Sequence, residues 1–411
     1  MHKVKISKVL LYYMVILLVF PIVSNNIFTV GILGVLFMMW AFSNMKTKIS
    51  VSKNIEYIFW LSEIVLLVFL YLLNSHVDTY ISSRILFRLA YLFVFMFVFN
   101  VHIKESYDYR KIQSIYKFTL GSFIIVSITT AIGLVRFPMA SRLLAGSAGE
   151  DSLLFQLNNI GGYGFIYSLC FLIPILVFLL CHVKLKQRER RIYILAIITM
   201  GITVVLSQYV IAIGLTAGFS VLAILVKKGK RLLLSIVGIG GSLVVIIFLA
   251  RNAIYDLLYP IAQSIGNGLI RVRVVAFLDL LVGGNIDVNI STRYDAYVLS
   301  WEDFLNSPFI GKLFQNTPIV AHNHSEVLDM LACVGVLGSV LLIVTFILYF
   351  LRMYKTLKMY NLGALVIIMG VEFVALAILN TIFTATEVFV VISILLYGTI
   401  TVSELKSERE I

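Results

Sequence analysis

The chain has 411 residues, of which 60% are hydrophobic and only 13% charged, with a mean hydropathy of +1.00. That balance excludes an ordinary soluble domain and predicts an all-α polytopic membrane protein. The formal net charge of +12 raises nucleic acid as a partner, but the Lys and Arg fall in short clusters between apolar segments, as in cytoplasm-facing loops, so no nucleic acid is expected. Cys170, Cys181 and Cys333 sit in apolar runs without CxxC or His spacing and read as packing residues.

In chain order, Lys3, Lys5 and Lys8 precede an apolar run to Val23. Ser24-Asn25-Asn26 offers no small-x-small cleavage site, so this run reads as an uncleaved signal anchor. Further spans are predicted at Ile27 to Ser43, Ile55 to Leu73, Arg84 to His102, Ile115 to Val135, Gly161 to His182, Ile192 to Ser207, Tyr209 to Val226, Leu232 to Ala250, Met330 to Leu351, Leu362 to Asn380 and Ile382 to Val402. That makes about twelve, each near the length of a bilayer core. Residues 1–250 then hold nine spans and a smaller loop at 136–160, residues 251–329 form one large extracytoplasmic loop, and residues 330–411 hold the last three spans and a solvated tail.

The basic residues provide a second test of this order. With a cytoplasmic N-terminus, Lys46, Lys48 and Lys53; Lys104, Arg110 and Lys111; Lys184 to Arg191; Lys227 to Arg231; and Arg352 to Lys358 all fall inside, so both termini are expected in the cytoplasm. The critical join is Ser207-Gln208-Tyr209, which barely separates two spans; one continuous broken helix there would invert everything downstream. On the outer side, Arg84 and Arg88 share one helical face, Arg136 and Arg142 precede the sixth span, and Arg271, Arg273 and Arg293 occupy the large loop. Arg84 reads as snorkelling to headgroups. Arg88, about one turn inside the membrane, requires a polar cavity or a partner such as Glu63. With Arg142, Arg273 and Arg293 it is a candidate for a diphosphate site, because guanidinium groups bind phosphoryl oxygens bidentately.

Ser291 to Gly338 is where Arg, Trp, Asp, Glu and two His crowd together. Arg293, Tyr297, Trp301 and Phe304 recur at four- and three-residue spacings on one predicted helix, which Pro308 and Gly311 terminate. His324, Leu328, Leu331 and Gly335 start the next helix. That places His324 at its N-terminus, where the dipole disfavours the imidazolium while Glu326 and Asp329 pull the other way. Tyr297 and Trp301 can stack on sugar rings or pack internally. Asn323 and Glu326, flanking the His, are further substrate-contact candidates.

This stretch resembles the signature of the O-antigen and capsule polymerase (Wzy-type) and O-antigen ligase family. In that signature an Arg, Trp, Pro and Gly loop (here Arg293, Trp301, Pro308 and Gly311) is followed by a His-Asn-x-x-Leu-x-x-Leu-x-x-x-Gly-x-x-Gly helix (His324, Leu328, Leu331, Gly335, Gly338). Ser325 stands where the family often has Asn, and Asn323 precedes the His, so His322 and His324 are both candidates. Arg142 and the Gly-rich loop to Phe165 resemble the family's smaller outer loop; Asn158 and Asn159 equally suit a helix cap. Where the family often has Ser-Arg at the short outer turn, this chain has Ser207-Gln208.

The resemblance implies a GT-C-like enzyme in the cytoplasmic membrane that takes an undecaprenyl diphosphate-linked oligosaccharide from the bilayer and joins it to the non-reducing end of a second one. A flippase and a chain-length regulator are the implied assembly partners. His324 or His322 would take the acceptor proton, and Arg293, with Arg142 and Arg88, would stabilise the departing diphosphate. No cofactor is expected, and Asp279, Asp287 and Asp295 are too scattered to suggest a metal. A ligase of the same family would use the same residues. Glu372 and Glu387, inside the last two spans, keep a lipid flippase or secondary transporter in view, while the concentration of polar residues in one loop of roughly eighty residues favours an enzyme.

Overall fold

The computed structural model describes residues 6–24, 27–43, 45–73, 79–105, 109–146, 150–226, 249–264, 288–312 and 324–404, with single positions between 266 and 282. These residues are helical, with no strand among them. The helices are Ile6–Val19 (α1), Pro21–Ser24 (α2), Ile27–Ala41 (α3), Met45–Ser52 (α4), Ile55–Leu73 (α5), Thr79–Glu105 (α6), Tyr109–Arg136 (α7), Ala140–Gly146 (α8), Glu150–Leu157 (α9), Tyr163–His182 (α10), Gln187–Leu206 (α11), Val210–Leu225 (α12), Arg251–Gln263 (α13), Val288–Asn306 (α14), Glu326–Lys358 (α15) and Gly363–Leu379 (α16). Thr386–Ser403 (α17) completes the bundle and carries a π-helical turn at Val391–Leu395.

Four of these stretches, Ile112–Arg136 in α7, α10, α15 and α17, are long and apolar enough to cross a membrane; α1, most of α3, α12 and α16 are shorter apolar helices. Large apolar side chains line the outside of the bundle in stripes that follow the helical repeat, such as Leu195, Ile198, Ile202 and Val205 on α11 and Val340, Ile343, Ile347 and Leu351 on α15. Continuous stripes of this kind belong against lipid. The ninth predicted span, Leu232 to Ala250, lies outside the described residues except for its last two positions. The first span is interrupted by a bend before Pro21, which cannot continue the hydrogen-bond ladder of α1. Cys170 and Cys333 are buried, whereas Cys181 is exposed.

Side-chain bridges order the two ends of the bundle. At one end Ser7 meets His102 at 3.2 Å, Tyr12 donates to Ser114 at 3.1 Å, Tyr116 meets Tyr193 at 2.9 Å and Ser403 donates to the Tyr360 carbonyl at 3.1 Å. Arg352 joins that end by pairing with Glu56 and donating to Asn100 at 2.8 Å. The basic connections around Lys48, Lys104 and Arg352 gather there. Lys48 turns back onto the last carbonyls of α3, including Ala41 at 2.8 Å, and so caps that helix. At the opposite end Thr129 donates to the Asn159 carbonyl at 2.9 Å and Tyr163 to that of Thr381 at 3.2 Å.

The critical join resolves into a reversal. Cys170 Sγ lies 3.4 Å from the Ala212 carbonyl and His182 Nε2 2.9 Å from that of Ala223, so α12 runs parallel to α10 and therefore antiparallel to α11. Gln208, at φ 58°, makes the turn.

The segment after α14 docks by its backbone into a break in α15. Gly335 leaves the helix at φ 64°, ψ −169°. The amides freed there are taken up by the loop: Val336 N donates to the Pro308 carbonyl at 2.8 Å and Leu337 N to that of Phe309 at 3.1 Å, while Lys312 N donates to the Ala332 carbonyl at 2.8 Å. A Cβ on Gly335 would stand 2.4 Å from the Phe309 carbonyl, and one on Gly311 (φ 73°) 2.2 Å from that of Cys333. Only glycine admits both the dihedrals and the approach.

Candidate functional site

The site is assembled at the end away from the basic connections. His324 is half-buried in the bend before α15, and Ser325 caps that helix, its hydroxyl accepting from Leu328 N at 3.4 Å. The next residue ties the helix start to the segment between α16 and α17. Glu326 N donates to the Asn380 carbonyl at 3.1 Å, and its carboxylate accepts from Ile382 N at 2.8 Å and Phe383 N at 2.9 Å. Glu326 is buried, and its Oε2, engaged with two backbone amides, holds the helix start in position.

Arg88 is half-buried, and its charge acts on Glu326. The partner anticipated from the sequence, Glu63, is elsewhere: it is fully buried, its Oε1 is 3.1 Å from where a Cβ on Gly338 would lie, and neither oxygen has a hydrogen-bond partner among the described residues. α14 is fastened to α15 by Ser300 donating to Asp329 at 2.8 Å, and to the segment that follows it by the Lys312–Asp303 pair at 2.6 Å. On α14, the Tyr297 hydroxyl reaches the Leu379 carbonyl at 3.5 Å. Trp301 is 46% exposed with its ring 5.1 Å from Phe304, which removes the internal-packing reading for the indole.

Arg142 approaches from the other side. Its guanidinium donates to the Gln208 carbonyl and lies 5.2 Å above the Tyr209 ring, while the Tyr209 hydroxyl donates to the Ser141 carbonyl at 3.0 Å. Tyr209 in turn meets Tyr163 and Tyr167 at 5.9 and 5.8 Å between ring centroids, and these two stand 4.6 Å apart. Tyr167 accepts from Asn380 Nδ2 at 2.8 Å. A continuous path of contacts thus joins Arg142, through three tyrosines, to Asn380 and Glu326. The tyrosines and Asn380 are absent from the sequence-derived set. The polar Asn380-Thr381 pair between two apolar runs is the signal that marks the place. Asn159, at φ 54°, binds Thr129 at 3.1 Å, and the N-cap position of α10 falls to Gly162. Asn158 donates to the Leu154 carbonyl of α9 at 2.8 Å, so neither Asn caps α10.

Arg293 stands on α14 with its side chain outside the described residues, as are His322, Asn323 and Arg273 altogether. Among the described residues no three His, Cys, Asp or Glu side chains gather as they would around a metal ion. Chemically, the described groups offer an imidazole at a helix start, two guanidinium groups and an aromatic floor. No protein-family model matches the chain, and no curated protein is significantly similar to it.

Proposed function

We propose that the chain is a Wzy-type polysaccharide polymerase of about twelve membrane spans, seated in the cytoplasmic membrane with both termini in the cytoplasm. It transfers a glycan from an undecaprenyl diphosphate donor to the non-reducing end of a lipid-linked acceptor at the outer face. The observation that carries this reading is the position of His324 at the start of α15, next to Glu326 and the Arg88 charge, at the end of the bundle opposite the Lys and Arg clusters. His324 takes the acceptor hydroxyl proton, and Arg88, Arg142 and Arg293 hold the departing diphosphate. Trp301, exposed on α14, faces the glycan. The chain reversal at Gln208 supports the span count, since it keeps the basic connections on one side.

Purified protein supplied with one lipid-linked repeat unit tests the reading. A ladder of products is expected; a single transferred product would make it a ligase, and movement of lipid without new bonds a flippase. His324→Ala should abolish the ladder while protein level and the single-repeat lipid persist, and normal polymer from that variant would remove the base assignment.

A further inference from the structure

A cavity of about 1080 Å³ lies along the seam of α15 and α16 and holds no position in the chemistry above. It begins at Glu326, Ile382 and Phe383 and continues past Phe346 and Gly370 to Tyr354. Of its lining side chains only Glu326, Ser339 and Tyr354 carry N or O atoms, and two of these mark its ends. From the break at Gly335 to Tyr354 α15 alone runs about 29 Å at 1.5 Å per residue, close to the hydrocarbon depth of a bilayer, and the groove continues past the break to Glu326. The lips of the groove, Ile343, Ile347, Val374 and Ile378, are each about half exposed, so it opens sideways on the lipid-facing surface.

Its occupant is therefore long, apolar and loaded from the bilayer. The floor is a run of rings, with Phe346 5.0 Å from Phe373 and 5.8 Å from Phe383 between centroids, a rigid surface that suits a methyl-branched chain. The Glu326 end decides the polarity. Glu326 Oε2 is taken by two backbone amides and Asp329 Oδ1 accepts from Ser300, while Arg88 supplies a positive charge and the start of α15 the positive end of its dipole. An anionic head belongs at that end.

We propose that this groove holds the polyprenyl chain of a polyprenyl diphosphate, with the diphosphate at the Glu326 end beside Arg88 and within reach of His324. The assignment rests on the polymerase reading for the identity of the lipid.

The test uses the full chain in nanodiscs with a photo-crosslinking residue at Ile347 or Val374 in the groove, or at Ile198 on the exposed face of α11 as control. Undecaprenyl diphosphate should cross-link from Ile347 and Val374 and not from Ile198. Unlabelled undecaprenyl diphosphate should suppress the signal, and an about tenfold excess of phosphatidylglycerol should not. Gly370→Leu, whose Cβ would sit 3.7 Å from Phe350, narrows the groove and should lower cross-linking by about tenfold with the melting temperature unchanged. Equal labelling from Ile198 and Ile347, or equal competition by phosphatidylglycerol, overturns the assignment. Selective cross-linking without polymer leaves the groove and removes the polymerase; polymer without selective cross-linking does the reverse.

Discussion

At the scale of single residues, the site separates groups that face outward from groups that hold others in place. Trp301 is the clearest outward-facing one, since an indole 46% exposed on α14 contributes little to folding. Trp301→Ala is expected to leave the unfolding midpoint within about 0.5 kcal/mol of the parent and to raise the apparent KM for the repeat unit by about tenfold through lost ring stacking. An unchanged KM would assign the side chain to the membrane interface instead. Glu326 is the opposite case. Removing its carboxylate leaves the amides of Ile382 and Phe383 buried without an acceptor, at about 1–3 kcal/mol each. Glu326→Ala should therefore destabilise the protein measurably in a detergent titration, and Glu326→Gln, whose amide oxygen can stand where Oε2 accepts from both amides, should keep most of the parent stability. Equal stability of the parent and Glu326→Ala would mean that the clasp does not exist in solution.

At the scale of elements, the union of the post-α14 segment with α15 explains why two glycines and a proline matter together. The helix is broken at Gly335, and the carbonyls of Pro308 and Phe309 replace those the helix would have supplied to Val336 and Leu337. Gly335→Ala combines a left-handed dihedral with a backbone clash, so a loss exceeding the usual strain of about 1–3 kcal/mol is expected. Gly214→Ala is the matched control: a Cβ there meets nothing within 4 Å, and a mid-helix alanine should stabilise by about 0.5–1 kcal/mol. Thermal unfolding of both variants decides the matter, and an indifferent Gly335→Ala would show the break to be relieved in the membrane. Because this junction sets the direction of the first two turns of α15, it also sets where His324 stands.

At the scale of the whole molecule, the two ends of the bundle carry different kinds of polar group. The basic end is braced by Arg352, which pairs with Glu56, donates to Asn100 and lies 5.8 and 5.7 Å from the Tyr57 and Tyr349 rings, joining α5, α6 and α15. Arg352→Ala leaves the Glu56 carboxylate buried and unpaired, and a loss of about 3–5 kcal/mol is expected, read as a lower midpoint in thermal unfolding. A midpoint within error of the parent would show that Glu56 is solvated or protonated there. The opposite end is held, among the described residues, by backbone clasps, stacked tyrosines, the Lys312–Asp303 pair and the Arg142 contacts, which leave Trp301, Tyr163 and Tyr209 partly open. A braced basic end and an opposite end with partly open aromatic rings suit the polymerase proposed above.

The amino-acid sequence alone determined the helical class, most helix positions, the segregation of basic connections and the stretch that contains His324 and Trp301. These are local properties: apolar run length, charge placement and spacing along one helix. The Ser207-Gln208 join and the role of Glu326 were not local. Whether α12 continues or reverses α11 depends on its packing along α10, and a carboxylate next to a candidate base can face either a ligand or a backbone amide from some fifty residues away. The tyrosine floor, the backbone junction at Gly335 and the groove between α15 and α16 belong wholly to the tertiary structure, because each is made where distant segments meet, and pairing across such separations leaves no periodicity for a sequence to display.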